Sequence, residues 1–151
     1  LIKNKLAWQV VVVGNLSEAS KQRFHALAKQ LPGMSMHTPG FVSNIGHFML
    51  ACDVQAGKAG ANALMESLSL GRPFLINELL HAARNTQTFF LEYQVGWVIR
   101  QPKQQMITLK AFAEDKTRQQ RIEYNLKALP LQFDSDQFVN LLLNEVKSLA
   151  D

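Results

Sequence analysis

Short apolar runs alternate with amphipathic stretches between Trp8 and Pro102, and this alternation constrains the fold more than any other feature of the chain. Clear apolar runs are Val10–Val13 and 74–76, and each has Gly or Pro at one end. The stretches between such runs place apolar residues at helical spacing. Strands that alternate with helices predict an α/β fold, in which a parallel sheet carries helices on both faces.

The same pattern predicts the order of the elements and their limits. Ser17 is the expected N-cap of the first helix, and Ser43 or Asn44 that of the second. After Pro102 the pattern is helical only, so we expect an α/β core over 1–102 and helices over 103–151 that pack on the same domain. The predicted strands are 8–14, 34–37, 52–56, 74–77 and 96–99, and the predicted helices beyond the core are 107–115, 117–129 and 136–150.

Composition excludes several classes of protein. The single cysteine, Cys52, cannot form an internal disulfide or a cysteine-based zinc site. The 16 basic residues exceed the 12 acidic ones but are dispersed, which suits an anionic ligand without requiring nucleic acid. No apolar run approaches the roughly 18 residues that a membrane span needs. The chain starts without Met, so we expect it to be part of a longer protein.

Metal binding is not expected either. The histidines lie far apart, and none is spaced as a metal ligand from another histidine or a carboxylate. We therefore predict no metal and no cofactor. The four histidines are His25, His37, His47 and His81.

A segment of small residues, Gly57–Asn62, follows a predicted strand and opens a predicted helix over 61–70. Small side chains leave backbone amides open to a ligand, and the positive end of the helix dipole favours an anion such as phosphate. Lys58 could add a positive charge. The segment matches neither the P-loop nor the Gly-x-Gly-x-x-Gly pattern, so an anion site and a ligand-free tight turn both stay open. By spacing alone, Glu66 is a solvated carboxylate.

The run from Asp53 through Gly71-Arg72-Pro73, with Lys58-Ala59-Gly60 followed by Glu66, resembles the donor-binding motif of GT-B glycosyltransferases. It is most similar to the monogalactosyl- and diglucosyl-diacylglycerol synthases, with the peptidoglycan N-acetylglucosaminyltransferase family as a relative. The resemblance extends from Trp8 to about Ile99. It implies that the chain is the C-terminal, donor-binding half of a GT-B fold.

The resemblance also implies roles for particular residues. The loop and helix start would hold the diphosphate of a UDP-sugar, Glu66 would hold the ribose, and Val42, after Phe41, would read the uracil edge. Gly14 and Asn15 match a turn near the same crevice. The implied nucleotide-binding residues are therefore Gly14, Asn15, Phe41, Val42, Lys58, Ala59, Gly60, Ala61, Asn62 and Glu66.

Two departures from the family pattern bear on catalysis. The Gln-Glu or Gln-Gln pair that binds the donor sugar is replaced by Glu78 and the residues after it, which leaves His81, Arg84 and Asn85 as candidate substitutes. The family's first strand, its Gly-rich loop and its N-terminal acceptor domain have no counterpart here. We therefore expect this part of the protein to bind donor without completing turnover, and no catalytic residue is assigned.

The resemblance thus predicts the UDP-sugar-binding domain of an enzyme that transfers a hexose to a lipid or glycolipid acceptor. Its partners would be the UDP-sugar and the acceptor domain, in a cytoplasmic protein whose basic C-terminal helices could touch an anionic membrane surface. The alternative is a degenerate nucleotide-binding module with a regulatory or docking role. A sugar-nucleotide epimerase would share the ligand class.

Overall fold

The structure, a computed structural model, describes residues 7–78, 84–131 and 134–148. Within these residues the helices and strands follow in chain order as β1 Trp8–Val13, α1 Glu18–Lys29, β2 Met34–Gly40, α2 Ile45–Ala51, β3 Gln55–Lys58, α3 Ala61–Ser69, β4 Phe74–Glu78, α4 Arg84–Tyr93, β5 Gly96–Val98, α5 Pro102–Glu114, α6 Lys116–Lys127 and α7 Ser135–Ser148. The chain divides into two compact units, residues 1–48 and residues 49–151.

The first unit contains a two-stranded parallel sheet, in which β1 pairs with β2. Helix α1 packs against β2, and it begins where predicted because the Ser17 hydroxyl accepts a hydrogen bond from the Ser20 amide. The predicted strand from residue 34 extends through Pro39 to Gly40. No described residue of this unit is fully buried.

The second unit contains a three-stranded parallel sheet with β4 between β3 and β5. Successive side chains of a strand point to opposite faces, and Phe74, Leu75 and Ile76 of β4 are at most 3% exposed. Both faces of this sheet are therefore covered, as predicted for an α/β fold. The helices contribute further buried core residues, which include Leu64, Leu68, Phe90, Phe112, Ile122 and Leu126.

Two features of the sheets differ from prediction. The sequence predicts one sheet, whereas the described strands form two. The strand predicted over 52–56 is found at Gln55–Lys58 because pairing starts where the Gln55 amide donates to the Pro73 carbonyl, 3.0 Å away. Gly57 and Lys58, predicted to lie in a loop, therefore belong to β3.

The helices after β5 also differ in detail. Helix α5 begins at Pro102 instead of residue 107, because proline suits the first helical position, where its missing N–H needs no partner. Residues 49–151 form one compact unit that includes these helices, and the division predicted at residue 102 stays a prediction. Helix α7 leaves its apolar stripe exposed, with Phe138 at 61% and Val146 at 64%.

Among the described residues, no helix combines the length and hydropathy needed to cross a membrane.

Candidate functional site

The polar groups of the predicted anion site lie at the carboxyl edge of the three-stranded sheet, where β3 and β4 end. The strand register pairs Lys58 with Glu78, and the Ala59 amide donates to the Glu78 carbonyl over 3.0 Å. The ammonium Nζ of Lys58 lies 3.8 Å from Oε1 of Glu78, and both side chains are more than half exposed. An anion bound at this edge would therefore meet one cation that already has a carboxylate neighbour.

Helix α3 starts at this edge without a side-chain cap. Its N-cap is Gly60, with φ −83° and ψ 131°, and no side chain bonds to the first-turn amides. The Gly60 amide donates to the Lys58 carbonyl at 2.8 Å, and the Leu64 amide is the first to donate within the helix, to the Gly60 carbonyl at 3.1 Å. The amides of residues 61–63 thus keep their hydrogen-bonding capacity for a ligand.

The surroundings of these amides suit an anion. The first turn of α3 carries no acidic residue, and Ala61 and Asn62 are exposed, while the Ala59 side chain is buried in the core below them. Backbone donors and the helix dipole together favour negative charge at such a position. The arrangement can bind a phosphate group through the backbone, with Lys58 as an adjacent charge.

Glu66 lies on the same face of α3 as Asn62, one helical turn further along. Its side chain is exposed, its carbonyl accepts hydrogen bonds from the Ser69 hydroxyl and the Leu70 amide, and its carboxylate makes none with a described residue. The carboxylate therefore remains open to a ligand that extends along the helix from its N-terminus.

Two potential nucleophiles close to this region have structural roles. The hydroxyl of Ser67 is fully buried and donates to the Arg72 carbonyl at 2.9 Å, which closes the turn between α3 and β4. The Cys52 thiol donates to the Met49 carbonyl at 3.1 Å, and burial raises its pKa although the Arg72 charge opposes the shift. Both groups are poorly placed for nucleophilic attack.

In the first unit, the residues predicted to contact the nucleotide follow β1 and β2, which end side by side. Gly14 has φ +133° and Gly40 has φ +83°, and the Gly14 amide donates to the Gly40 carbonyl over 2.9 Å. Asn15 follows Gly14, and Phe41 and Val42 follow Gly40, so this hydrogen bond brings the two segments close together. Phe41 is 87% exposed, so its ring is available to a planar partner.

The donor-sugar candidates are only partly within the described residues. His81 lies outside them, and Arg84 is the first residue of α4. Asn85 is exposed in the first turn of that helix. Their role in binding a sugar stays a prediction.

Sequence reasoning missed Glu78 as the partner of Lys58 and Ala63 as the third open amide. Ala63 could have been found, since the first turn of any helix leaves its amides unpaired. The Lys58–Glu78 contact depends on the pairing of β3 with β4, which no local pattern reveals. In the described ranges, no group of three or more His, Cys, Asp or Glu side chains is arranged to hold a metal ion.

Comparison with known proteins gives a likeness of structure only. No family model matches the chain, and no curated protein matches its sequence. The glycotransferase of kitacinnamycin superposes with a TM-score of 0.54 at 12% identity, over 83% of this chain and 40% of that one. The glycosyltransferase SsfS6 of Streptomyces sp. SF2575, complexed with thymidine diphosphate, superposes with a TM-score of 0.50 at 15% identity, over 81% of this chain and 38% of that one.

At these identities the likeness establishes the fold and leaves the activity open. The match covers about 40% of the length of the first of these enzymes. The chain has a mixed α/β fold of the Rossmann-like kind that forms one half of a GT-B glycosyltransferase.

Proposed function

We propose that the chain is the nucleotide-sugar-binding domain of a glycosyltransferase, which binds the diphosphate of a UDP-sugar at the N-terminus of α3. The observation that carries this proposal is the set of unpaired amides at residues 61–63 beside Lys58. The fold supports it, because two glycosyltransferases share it and one of them was solved with a nucleoside diphosphate.

In the transfer reaction, the bond between the sugar and the diphosphate breaks and negative charge grows on the leaving diphosphate. Amides held in place by α3 stabilise that charge without having to reorient, and Lys58 adds a full positive charge. This part of the chain thereby assists departure of the leaving group with no metal ion assigned to it. The base that activates the acceptor would belong to another part of the enzyme.

The finer parts of the proposal rest on the sequence resemblance alone. They are a hexose as the transferred group, a lipid or glycolipid as the acceptor, and a cytoplasmic enzyme that binds a membrane peripherally. Base recognition by Phe41 and Val42 and the turn at Gly14 and Asn15 belong here too. This part of the protein alone would bind donor and remain inactive.

A substitution at the N-cap tests the diphosphate site without damaging the fold. The space around Gly60 is open, and its φ is one that any residue adopts. In Gly60→Asp the new carboxylate would cap the same amides that the phosphate needs, so the helix should be as stable as before or more so. Charge repulsion should weaken UDP binding about tenfold or more.

Calorimetric titration with UDP, combined with thermal unfolding followed by circular dichroism, measures both effects. The matched control is Gly60→Asn, which caps the amides without adding charge and should weaken binding less. Unchanged UDP affinity in Gly60→Asp, or no UDP binding by the unaltered chain, would contradict the diphosphate site.

A second substitution tests the proposed ribose contact. Glu66→Ala should weaken UDP binding without lowering the unfolding temperature, since the side chain is exposed and makes no described internal hydrogen bond. The loss should be smaller for thymidine diphosphate, which lacks the ribose 2′-hydroxyl. Equal affinities of Glu66→Ala and the unaltered chain for UDP in the same titration would remove Glu66 from the site.

The alternative function is a degenerate module that binds nucleotide and has lost the sugar chemistry. The residues after β4, where the family's Gln-Glu pair is missing, favour it. An assay of the full-length protein for UDP-sugar transfer and hydrolysis separates the two functions, because a degenerate module would bind UDP and show neither reaction.

A further inference from the structure

An open cleft with a volume of about 370 Å³ lies where β5 leaves the three-stranded sheet. This volume falls within the range of about 300–1,000 Å³ that is typical of small-molecule sites. The cleft lies between α4 and the start of α5. Its lining residues are Gln87, Val98, Ile99, Arg100, Gln101 and Gln104.

The backbone around this cleft is held firmly. The Ile99 amide donates to the Ile76 carbonyl at 2.9 Å, which continues the sheet pairing beyond the last residue of β5. The side-chain amide of Gln105 donates to the Ile99 carbonyl at 2.8 Å and so ties α5 to the end of the strand. The groups that line the cleft are therefore carried by fixed elements.

In contrast, the polar side chains of the lining have no internal partner. Gln87, Gln101, Gln104 and Arg100 are exposed, and none of their side chains forms a hydrogen bond or ion pair with another described residue. No carboxylate lines the cleft. Three primary amides and one guanidinium group are thus available to a ligand.

These groups have the chemistry that binds a sugar ring. A primary amide donates and accepts hydrogen bonds, as each sugar hydroxyl does, and a guanidinium group donates to several oxygens at once. The half-buried side chains of Val98 and Ile99 offer an apolar surface to the C–H face of a ring. Polar groups around an apolar floor are typical of specific small-molecule sites.

The position of the cleft relates it to the diphosphate site in the same unit. Strands β3, β4 and β5 are neighbours and run parallel, so their carboxyl ends share one edge. With neighbouring strands about 4.8 Å apart, the end of β5 lies about 10 Å from the end of β3. A sugar attached to a diphosphate at the start of α3 can reach across this distance.

We propose that this cleft holds the hexose of the sugar nucleotide, with Gln87 and Gln104 bonding its hydroxyl groups. The inference rests on the proposed function, because it takes the diphosphate to be bound at α3. It assigns to α4 and α5 the sugar contacts that the missing Gln-Glu pair does not provide.

Calorimetry on the chain with UDP, UDP-glucose and UDP-galactose tests the assignment. The variant combines Gln87→Met with Gln104→Met, which removes two amides while keeping unbranched side chains that favour helices. Its matched control is Gln120→Met, a substitution of an exposed glutamine in α6 that is not part of the cleft lining. Thermal unfolding of each variant checks that the fold is retained.

The double variant should bind at least one of the two UDP-hexoses about three- to tenfold more weakly, because hydrogen bonds to the sugar are lost. Its affinity for UDP, and all affinities of the control, should stay unchanged. Unchanged UDP-hexose affinities in the double variant, or an equal loss for UDP, would overturn the sugar site alone. If the unaltered chain does not bind UDP, the proposed function fails and the sugar site fails with it.

Discussion

Lys58 is the residue of the candidate site at which a bound diphosphate and a neighbouring carboxylate would compete for one positive charge. Its ammonium group lies 3.8 Å from the Glu78 carboxylate, next to the open amides of α3. A diphosphate arriving at α3 would compete with that carboxylate for Lys58 and would be repelled by it. Glu78 therefore opposes anion binding while it holds Lys58 at the edge of the sheet.

Removing the charge of Glu78 should strengthen nucleotide binding. We expect Glu78→Gln to raise the affinity for UDP about two- to fivefold at low salt, in line with the energy of an exposed ion pair. The increase should shrink as salt is added, because these side chains are exposed.

The matched control is Glu92→Gln, which removes one negative charge from an exposed position on α4. Calorimetric titrations at two salt concentrations compare both variants with the unaltered chain. If Glu78→Gln binds UDP more weakly, Glu78 positions Lys58 for the ligand instead of competing with the ligand for it. If Glu92→Gln gains as much UDP affinity as Glu78→Gln, the gain comes from the change in net charge and not from the contact with Lys58.

At the scale of single elements, close packing between β4, β5 and α4 holds together the three-stranded sheet. A Cβ atom added to Gly96 would lie 2.2 Å from the Phe74 carbonyl oxygen and 2.6 Å from Cε1 of Phe90. The backbone of Phe74 and the buried ring of Phe90 would both clash with this Cβ atom, and neither can move aside easily. Glycine is required here by space, since Gly96 does not have a positive φ.

Gly96→Ala should therefore destabilise the fold by about 3 kcal/mol or more, at the upper end of the cost of overpacking a core. The comparison is Gly57→Ala in β3, where the added Cβ would lie at an ordinary 3.5 Å from Cζ of Phe74. Urea unfolding followed by circular dichroism measures both. Equal free energies of unfolding for the two variants would show that β5 does not pack as described.

The elements that the sequence predicted well are those with a strong local signal. Helix α3 starts at Ala61 as expected, and β4 starts at Phe74 with an apolar run that is buried on both faces. The sequence pattern places strand β3 too early because its residues, Gln55–Lys58, include no large apolar side chain. Its limits are set by pairing with β4, a contact between segments distant in sequence.

The candidate site likewise has one part that the sequence predicts and one part that depends on the fold. Its backbone part was predictable, because small residues at the start of a helix leave amides open whatever surrounds them. The Lys58–Glu78 contact and the cleft at the end of β5 were not, since they arise from strand order and from the packing of α4 and α5. Side chains of ordinary type, such as Gln87 and Gln104, give no signal until the fold places them together.

On the scale of the whole molecule, the buried core lies in the unit formed by residues 49–151. Every buried hydrophobic side chain among the described residues belongs to it, from Met49 to Leu126. The proposed diphosphate site and the proposed sugar cleft both lie at one edge of the sheet in this unit. The unit with the core therefore holds the groups that the proposed function needs for the diphosphate and the sugar.

An amide-resolved NMR titration with UDP tests the central claim, that the start of α3 binds the diphosphate, most directly. The amide resonances of residues 61–63 should shift in a saturable way, and those of α6, such as Ile122, should not. Thymidine diphosphate, ADP and GDP, titrated in parallel, show how far the base matters. If UDP leaves residues 61–63 unshifted, or shifts only residues of other elements, the diphosphate site at α3 is contradicted.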